Sequence, residues 1–142
     1  MSVKAILQTK GFDVLSVTGE SSVAEAVALL AENRIGAVPV MQAGAVIGIF
    51  SERDVIYCLA SEGAAALDRP VSEVMTAPAM TVDSDCAVLS ALSLMTRRRI
   101  RHLPVVDGGA LSGFISIGDL VKHRIEKIEA EAEAMRSYIQ SA

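Results

Sequence analysis

The sequence predicts an α+β fold built from two similar units in tandem, followed by a long C-terminal helix. Each unit is expected to have the order strand-helix-strand-strand-helix, with the two sheets packed together and the helices around them. Three observations support this fold: an internal duplication, an apolar fraction of 51% over 142 residues, and a helical apolar stripe near the C-terminus. A chain of this size and composition can form a substantial core, which excludes intrinsic disorder.

The duplication aligns the two halves of the chain 65 positions apart without a gap. Residues 35–40 lie over residues 100–105, with Pro39 matched to Pro104. Further matched pairs are Val17 and Val82, Val23 and Val88, Leu29 and Leu94, Gly48 and Gly113, Ser51 and Ser116, and Asp54 and Asp119. Because the matches include prolines, turn glycines and a serine–aspartate pair, chance similarity between two apolar segments does not explain them.

The first strand and first helix of each unit follow from short apolar patterns. Strands are predicted at residues 14–17 and 79–82. Ser22 followed by Glu25 is a capping-box pattern that predicts a helix start, and Asp85 is predicted to cap the equivalent helix. The buried faces are predicted from residues at helical spacing, namely Val23, Val27 and Leu30 in the first copy and Val88, Leu92 and Met95 in the second.

A hairpin and a second helix complete each unit. Proline in the first strand of each hairpin favours a sheet edge or a strand start, because proline cannot donate a hydrogen bond to a ladder. Ser51 and Ser116 are then predicted to begin helices. The hairpin strands are predicted, with Gly-containing turns between them, at residues 37–41 and 46–50 and at residues 103–106 and 111–115.

The predicted organisation is a first repeat at residues 5–62, a linker at 63–70 and a second repeat at 71–127. Small and polar residues predict that the linker lies on the surface, and Pro70 predicts the start of a short helix. Because each repeat has only about 55 residues, neither is expected to be very stable alone, so the two should pack sheet against sheet.

Residues 119–141 predict one helix that extends from the second repeat. Its apolar residues alternate in steps of four and three, the spacing of a coiled-coil seam: Val121, Ile125, Ile128, Ala132, Met135 and Ile139. Because this seam runs past the end of the repeat, it favours a helix shared with a second subunit, and a helix packed on its own repeat is the alternative. The seam alone is compatible with a parallel or an antiparallel pair.

Composition and charge exclude several classes of protein. A net charge of −4 disfavours a general nucleic-acid coat, and an aromatic fraction of 4% disfavours a base-stacking RNA surface. No apolar stretch reaches the roughly 20 residues of a membrane span, and residues 1–10 lack a secretory core. Cys58 and Cys86 stand apart in the sequence, as expected of thiols in a reducing cytoplasm.

The sequence predicts neither a catalytic site nor a metal site. His102 and His123 are the two histidines, and the sequence contains no Cys-x-x-Cys, no His-Glu-x-x-His and no glycine-rich phosphate loop. Nucleophilic catalysis needs a base beside a serine or cysteine. We therefore expect no enzymatic activity and no catalytic cofactor.

The repeated Ser-x-x-Asp, from Ser51 to Asp54 and from Ser116 to Asp119, is the strongest candidate for a functional motif. Helix capping by itself explains both copies. The same geometry also suits a nucleotide, because a helix N-terminus offers free N–H groups to phosphate, and a carboxylate one turn later can accept both ribose hydroxyls. Arg53 can pair with a phosphate in the first copy.

One strongly basic run, residues 97–102, lies in this acidic chain. Its three arginines at 97–99 complement a helix C-terminus and are expected to be solvated. Arg101 and His102 lie at the start of the next strand, where an anionic ligand is an open alternative. Gly36 and Ala37 occupy the matching positions of the first copy, so the two halves should differ in their affinity for anions.

These features resemble the cystathionine-beta-synthase (CBS) domain family. The family pattern is a helix, then hydrophobic-x-hydrophobic-Pro-Val, a Gly-containing hairpin, and Gly-x-x-Ser-x-x-Asp at a helix start. Both copies fit it, with the last motif at residues 48–54 and 113–119. The resemblance spans roughly residues 5–125 and implies a stand-alone tandem pair, known as a Bateman module. The resemblance further implies that the pair binds adenosine-containing ligands between its halves and dimerises into a flat disc.

The resemblance implies two clefts, each combining the Ser-x-x-Asp of one repeat with main chain of the other. The first cleft would comprise Ser51, Arg53 and Asp54 with Thr76, Met80, His102 and Leu103. The second cleft would comprise Ser116 and Asp119 with Lys10, Leu15, Gly36, Ala37 and Val38. Arg101 and His102 are expected to reach a phosphate in the second cleft, and Gly36 lets a flat purine approach the main chain closely.

Two functions from different classes are consistent with these residues. The leading hypothesis is a cytoplasmic, homodimeric sensor that binds AMP, with ADP, ATP or an NAD-type dinucleotide as alternatives, and signals to an effector protein supplied in trans. The alternative is a ligand-free structural or assembly module that acts through its dimer interface. Stabilisation of the native state by an adenine nucleotide would distinguish them.

Overall fold

The computed structural model describes residues 1–141 and confirms the α+β fold, with two small sheets, flanking helices and a long C-terminal helix. The elements of the first half are α1 (Val3–Lys10), β1 (Val17–Thr18), α2 (Val23–Asn33), β2 (Ala37–Gln42), β3 (Ala45–Ser51) and α3 (Glu52–Glu62). Those of the second half are a 3₁₀-helix (Gly63–Asp68), α4 (Val71–Val74), α5 (Val88–Arg98), β4 (His102–Asp107), β5 (Ala110–Ser116) and α6 (Ile117–Ser141).

The two sheets have related topologies. In the first, β1 runs parallel to β2, and β2 pairs antiparallel with β3. The second sheet is the antiparallel hairpin of β4 and β5, to which Val82 adds a single parallel bridge at Val105. Strands β3 and β5 lie beside each other where the two halves meet. We call the half built on β1–β3 the first lobe and the half built on β4 and β5 the second lobe.

Proline makes the opening strands shorter than the predicted residues 14–17 and 79–82. The Val82 amide donates to the Pro104 carbonyl at 3.1 Å, and the Val106 amide donates back to Val82 at 2.8 Å. Because Pro104 has no N–H, the ladder cannot continue past it toward the start of the predicted strand. Pro39 has the same effect beside β1. The expectation that Pro39 marks a sheet edge or a strand start was wrong, since β2 is the central strand of its sheet and Pro39 is its third residue.

The first helix of each half starts differently. Ser22 caps α2 as predicted, with its Oγ accepting from the Glu25 amide at 3.1 Å. The prediction that Asp85 caps α5 was wrong, because the N-cap is Ala87, which has no capping side chain. Instead, the main-chain carbonyl of Met1 accepts a hydrogen bond from the Val88 amide at 3.1 Å. The N-terminal segment therefore provides the acceptor that a capping side chain would otherwise provide at the start of α5.

Each lobe has its own hydrophobic core, and α1 belongs to the core of the second lobe. Val3, Ile6 and Leu7 of α1 are buried there, beside Leu103, Ile115 and Leu120. A Cβ placed on Gly113 of β5 would lie 2.6 Å from a methyl carbon of Leu7. The glycine therefore allows α1 to approach the sheet closely.

Helices α1 and α4 occupy matching positions in the duplicated sequence and are exchanged between the lobes. The N-terminal helix α1 packs on the second lobe, whereas α4 contacts β3 of the first lobe. After α4, Thr76 and Ile49 exchange two main-chain hydrogen bonds of 2.9 Å. The chain therefore crosses between the lobes twice, which holds them together without a large shared core.

The segment predicted as a surface linker is folded. Its 3₁₀-helix places Ala66 in the first core, where the side chain is fully buried. Arg69 bridges Glu62 at 3.0 Å and Glu73 at 3.4 Å. The short helix predicted after Pro70 is present as α4.

Helix α6 continues well beyond its lobe. Leu120 is fully buried, whereas residues 128–141 are all exposed. Over residues 1–141, no helix combines the length and apolar character needed to cross a membrane. Nor does the same part of the chain group three or more His, Cys, Asp or Glu side chains in a way that could hold a metal ion.

Candidate functional site: two helix starts facing the other half of the chain

The first cleft is centred on Asp54, the only buried charged residue among residues 1–141. Its Oδ2 accepts from the Ser51 amide at 2.9 Å and from the Ser51 hydroxyl at 3.2 Å. Its Oδ1 accepts from the Thr76 hydroxyl at 2.9 Å. The capping box of α3 is complete, and Thr76 reaches the carboxylate from the second half of the sequence.

The second cleft repeats this arrangement at Asp119. Its Oδ2 accepts from the Ser116 amide at 2.8 Å, and the Asp119 amide donates to Ser116 Oγ at 3.1 Å. Lys10 Nζ lies 2.6 Å from the same Oδ2 and 2.7 Å from the carbonyl oxygen of Phe114. Within residues 1–141, no hydrogen bond reaches Oδ1 of Asp119, and about a quarter of its side chain is exposed.

Lys10 donates hydrogen bonds in the second cleft to the same two kinds of acceptor that Thr76 contacts in the first, a helix-start carboxylate and a strand carbonyl. Thr76 donates its hydroxyl to Asp54 and its main-chain amide to Ile49, the residue that matches Phe114. Lys10 donates to Asp119 and to Phe114 through one ammonium group. A half-exposed lysine can leave these partners at little cost, whereas a main-chain bridge cannot. The second cleft is therefore the more adaptable of the two.

The charges of the second cleft perturb two titratable groups. Burial opposes ionisation of Asp119, but hydrogen bonds from Lys10 and Ser116 and the charge of Lys10 outweigh it and lower the pKa of the carboxyl. Burial lowers the pKa of His102, and the positive charge of Lys10 lowers it further, against the opposing charges of Asp119 and Glu52. His102 is thus held toward its neutral form.

His102 lies where the two lobes meet. Its ring stacks on Phe114, with the ring centroids 5.6 Å apart. A Cβ placed on Gly36 would lie 3.6 Å from His102 Cε1 and 2.7 Å from Glu52 Oε1. Gly36 of the first lobe therefore approaches the second lobe beside Ser116, which pairs with His102 in the sheet register. This contact brings Gly36 and Ser116, which the resemblance assigns to the second cleft, beside His102, which it assigns to the first cleft and which was also expected to reach a phosphate in the second.

The remaining predicted residues fall into two groups. Arg53, Arg101 and Leu15 are exposed, and Arg53 donates to the Arg99 carbonyl at 3.4 Å. Buried or partly buried in the cores are the side chains of Ala37, Val38, Leu103 and Met80. Only the main chain of Ala37, Val38 and Leu103 can face a ligand, because their side chains are almost completely buried.

Phe114 and Glu52 were missed by sequence reasoning. Glu52 follows Ser51 within the Ser-x-x-Asp motif, and Phe114 precedes Ser116 by two positions. The alternation of β5 places Phe114 and Ser116 on one face of the strand, and this signal could have identified Phe114.

A further concave surface lies between two helices of the first lobe and shares Glu52 with the surroundings of Gly36. It is a groove of about 560 Å³ between α2 and α3, lined by Val27, Leu30, Ala31, Arg34, Ile35, Glu52, Val55 and Ile56. Ile56 is 62% exposed. Because the lining is mostly apolar, this groove is more typical of a protein contact than of a nucleotide site.

The fold and the two helix starts define a tandem-repeat module with one capped carboxylate at a helix start in each lobe. The chain belongs to the CBS domain family, whose model matches residues 3–61 and 71–126. It therefore contains two CBS domains. A CBS pair is a regulatory module.

Similar proteins include two close in size to this chain. CBS domain-containing protein YhcV of Bacillus subtilis is 30% identical over 91% of this chain and 89% of its own length. The CBS-domain protein ATU1752 of Agrobacterium tumefaciens is 43% identical, with a TM-score of 0.83 over 87% of this chain and 92% of its own.

A more distant structure, the CBS domain pair of protein MJ0100, was solved in complex with 5′-methylthioadenosine and S-adenosyl-L-methionine. It is 24% identical, with a TM-score of 0.79 over 89% of this chain and 98% of its own. At this identity, the likeness shows a shared fold.

Proposed function

We propose that this CBS pair is a sensor of adenosine-containing nucleotides, which it binds in the two clefts. The observation that carries the proposal is that both helix-start carboxylates, Asp54 and Asp119, contact a side chain from the other half of the sequence. A ligand at Asp119 would also lie near the point where Gly36 of the first lobe approaches His102 of the second lobe beside Ser116, so it would touch both lobes. Such a ligand can shift the relative arrangement of the lobes if it binds one arrangement better.

The carboxylates are the proposed ribose sites. Asp119 has one oxygen free of hydrogen bonds within residues 1–141, and its capping partner Ser116 orients it. Asp54 already accepts a hydrogen bond from the Thr76 hydroxyl. To accept a ribose hydroxyl at the same oxygen, it must first lose that bond, which requires the Thr76 hydroxyl to turn toward the ligand. We therefore expect the second cleft to bind a nucleoside more tightly than the first.

The second cleft is also the proposed phosphate site. Lys10 lies within hydrogen-bond distance of Asp119, and the charges of Lys10 and Arg101 both act on His102. A bound phosphate would attract the lysine from the carboxylate, which would release Asp119 for the ribose. AMP is the proposed first ligand, with ATP and an NAD-type dinucleotide as alternatives. Adenosine ligands in the MJ0100 pair supply the precedent within the fold.

The proposed output is an interaction with an effector protein, made by a cytoplasmic homodimer. The apolar groove between α2 and α3, with exposed Ile56 at its border, is a candidate for the contact between copies. A bound ligand would change the relative arrangement of the two lobes. The effector protein would then bind one arrangement of the lobes more tightly than the other.

Calorimetric titration with AMP, ATP and NAD⁺ tests the proposal on the wild type and on three isosteric variants. Asp54→Asn and Asp119→Asn keep the side-chain volume but remove the charge that binds ribose hydroxyls. We expect each to weaken binding at its own cleft by about 10-fold or more, because a hydrogen bond to a charged group contributes about 1.5–3 kcal/mol. Asp13→Asn, at an exposed position, is the matched control and should bind like the wild type.

The titrations also test the ligand-free assembly module. The complete capping boxes of α3 and α6 are consistent with carboxylates that serve the fold alone. Absence of binding by all three nucleotides, or equal affinities in wild type and both Asn variants, would overturn the sensor proposal in favour of that module.

A further inference from the structure

We propose that the C-terminal part of α6 pairs with the same helix of a second copy in a parallel, in-register coiled coil. The inference rests on the proposed homodimer but not on ligand binding. Two features carry it: an apolar seam that the lobe leaves uncovered, and the order of charges along both borders of that seam.

The seam lies beside, and not on, the surface by which α6 attaches to its lobe. Leu120 is fully buried in the second core, and His123, Arg124 and Lys127 adjoin Met1 and the start of α5. The seam residues lie about a quarter of a turn from that attachment face. Their exposed fractions run from 42% at Val121 to 66% at Ile139. A continuous apolar stripe of this length in solvent predicts a protein contact.

The seam has the spacing of a heptad repeat over residues 121–139. In heptad terms, Ile125, Ala132 and Ile139 occupy the a positions, and Val121, Ile128 and Met135 occupy the d positions. The bordering charges are Arg124 and Glu131 at the g positions and Lys122, Glu129 and Arg136 at the e positions. These borders decide which partner orientation is favoured.

A parallel, in-register pair places opposite charges together at both heptads. In such a pair, each g residue faces the e residue five positions later on the other helix. Arg124 then faces the partner's Glu129, and Glu131 faces the partner's Arg136. The two-fold symmetry of the dimer repeats each contact, so the attraction acts along both borders of the whole seam.

An antiparallel pair cannot satisfy both the seam and the charges. When it covers the whole seam, Glu129 faces the partner's Glu129, Glu131 faces the partner's Glu131, and Lys122 faces the partner's Arg136. Shifting it by one heptad in either direction brings opposite charges together, but it leaves two of the six seam residues uncovered. Only the parallel register buries the seam and pairs the charges together.

Contacts within the single chain do not compete strongly with this pairing. Arg136 bonds Glu133 on its own helix at 2.9 Å, and both side chains are about two-thirds exposed. Such surface pairs contribute little to stability. A short helix pair is marginal on its own, so the coiled coil would stabilise a dimer whose lobes also touch. Parallel pairing would set the two second lobes side by side.

Disulfide cross-linking of the full chain tests the orientation. In a Cys58→Ala and Cys86→Ala background, Ile128→Cys and Met135→Cys are oxidised separately with oxidised glutathione, and Glu133→Cys, on the outer face of α6, is the control. In a parallel, in-register pair, residue 128 lies beside residue 128 of the partner helix, and residue 135 lies beside residue 135. In an antiparallel pair only one of these two positions can lie beside the same position of the partner, because they are about 10 Å apart along the helix.

We expect both seam cysteines to form covalent dimers about 10-fold faster than the control, because pairing raises the local thiol concentration. Rates equal to that of Glu133→Cys, or fast cross-linking at only one seam position, would overturn the parallel coiled coil. Sedimentation of the wild type separates this failure from others: a dimer whose tails do not cross-link overturns only the coiled coil, whereas a monomer overturns the homodimer as well. Nucleotide binding is measured independently of both.

Discussion

At the scale of single residues, the main difference between the two clefts is the exchange of Thr76 for Lys10 at the helix-start carboxylate. In the first cleft a hydroxyl donates to the carboxylate and a main-chain amide donates to the strand, whereas in the second cleft one ammonium group donates to both. Because the ammonium is charged and half-exposed, it can respond to a bound anion. The clefts of a duplicated fold thus differ in what they can bind.

Lys10→Met tests whether this ammonium contacts phosphate. If it does, AMP should lose about 10-fold or more in affinity, the usual effect of removing one charge-assisted hydrogen bond, while adenosine should change little. Titration of both ligands into the wild type, Lys10→Met and the control Lys4→Met measures the ratio. Lys4 is an exposed lysine of the same helix. An unchanged ratio of AMP to adenosine affinity in Lys10→Met would show that Lys10 does not reach the phosphate.

His102 should make folding stability depend on pH. Burial, and then the charge of Lys10, lower the pKa of His102 in the folded chain below the value of about 6.5 in the unfolded chain. The unfolded chain therefore binds the proton first, so the contribution is complete above that value and is lost as the pH falls toward the folded pKa. The carboxyl of Asp119, whose folded pKa is also lowered, loses its contribution only at more acidic pH.

Urea unfolding at pH 7.5 and pH 5.5 measures this effect. The free energy of unfolding should fall between these conditions in the wild type and fall less in His102→Gln, which cannot take up the proton. Identical decreases in the two proteins would contradict the assignment to His102. Because both proteins retain every other titratable group, the difference between them isolates this residue.

At the scale of elements, local signals predicted where the helices and strands of each repeat lie but not how far the strands extend, and they predicted neither α1 nor the 3₁₀-helix. Glycine-containing turns and apolar runs predicted both hairpins to within a residue or two. The missing N–H groups of Pro39 and Pro104 shortened the opening strands, an effect visible only when the neighbouring strand is known. Similarly, the Met1 carbonyl at the start of α5 replaces a cap that no local pattern contains.

Neither helix α1 nor its place in the fold was predicted from the sequence. Its buried residues belong to the core of the second lobe, across more than 75 residues of chain between Leu7 and Val88. We expect Leu7→Ala to lower the free energy of unfolding by about 2–5 kcal/mol, since it leaves a cavity at a fully buried position. Gln8→Ala, exposed on the same helix, should have almost no effect.

Hydrogen exchange shows which lobe loses amide protection in Leu7→Ala. Amides of β4 and β5 should lose more protection than those of β2 and β3, because α1 packs on the second lobe. A greater loss in the first lobe, or equal stability of Leu7→Ala and Gln8→Ala, would contradict the exchanged arrangement of α1.

At the scale of the whole molecule, the duplicated fold creates its sites by bringing the halves of the chain together. The Ser-x-x-Asp motifs are local, and their capping geometry was predictable from the residues alone. The proximity of Thr76 to Asp54 and of Lys10 to Asp119 was implied only by the family resemblance. Stacking of His102 on Phe114 and the approach of Gly36 to His102 followed from neither, because they depend on how the lobes pack.

The amino-acid sequence by itself determined the duplication, the strand-helix-strand-strand-helix order within each repeat, the capped starts of α2, α3 and α6, and the heptad seam, because each depends on residues close together in the chain. Tertiary structure alone decided which lobe α1 completes, how far the opening strands extend, and which donor reaches each carboxylate. Those outcomes depend on residues far apart in sequence, whose burial and hydrogen bonds exist only once the chain has crossed between its lobes.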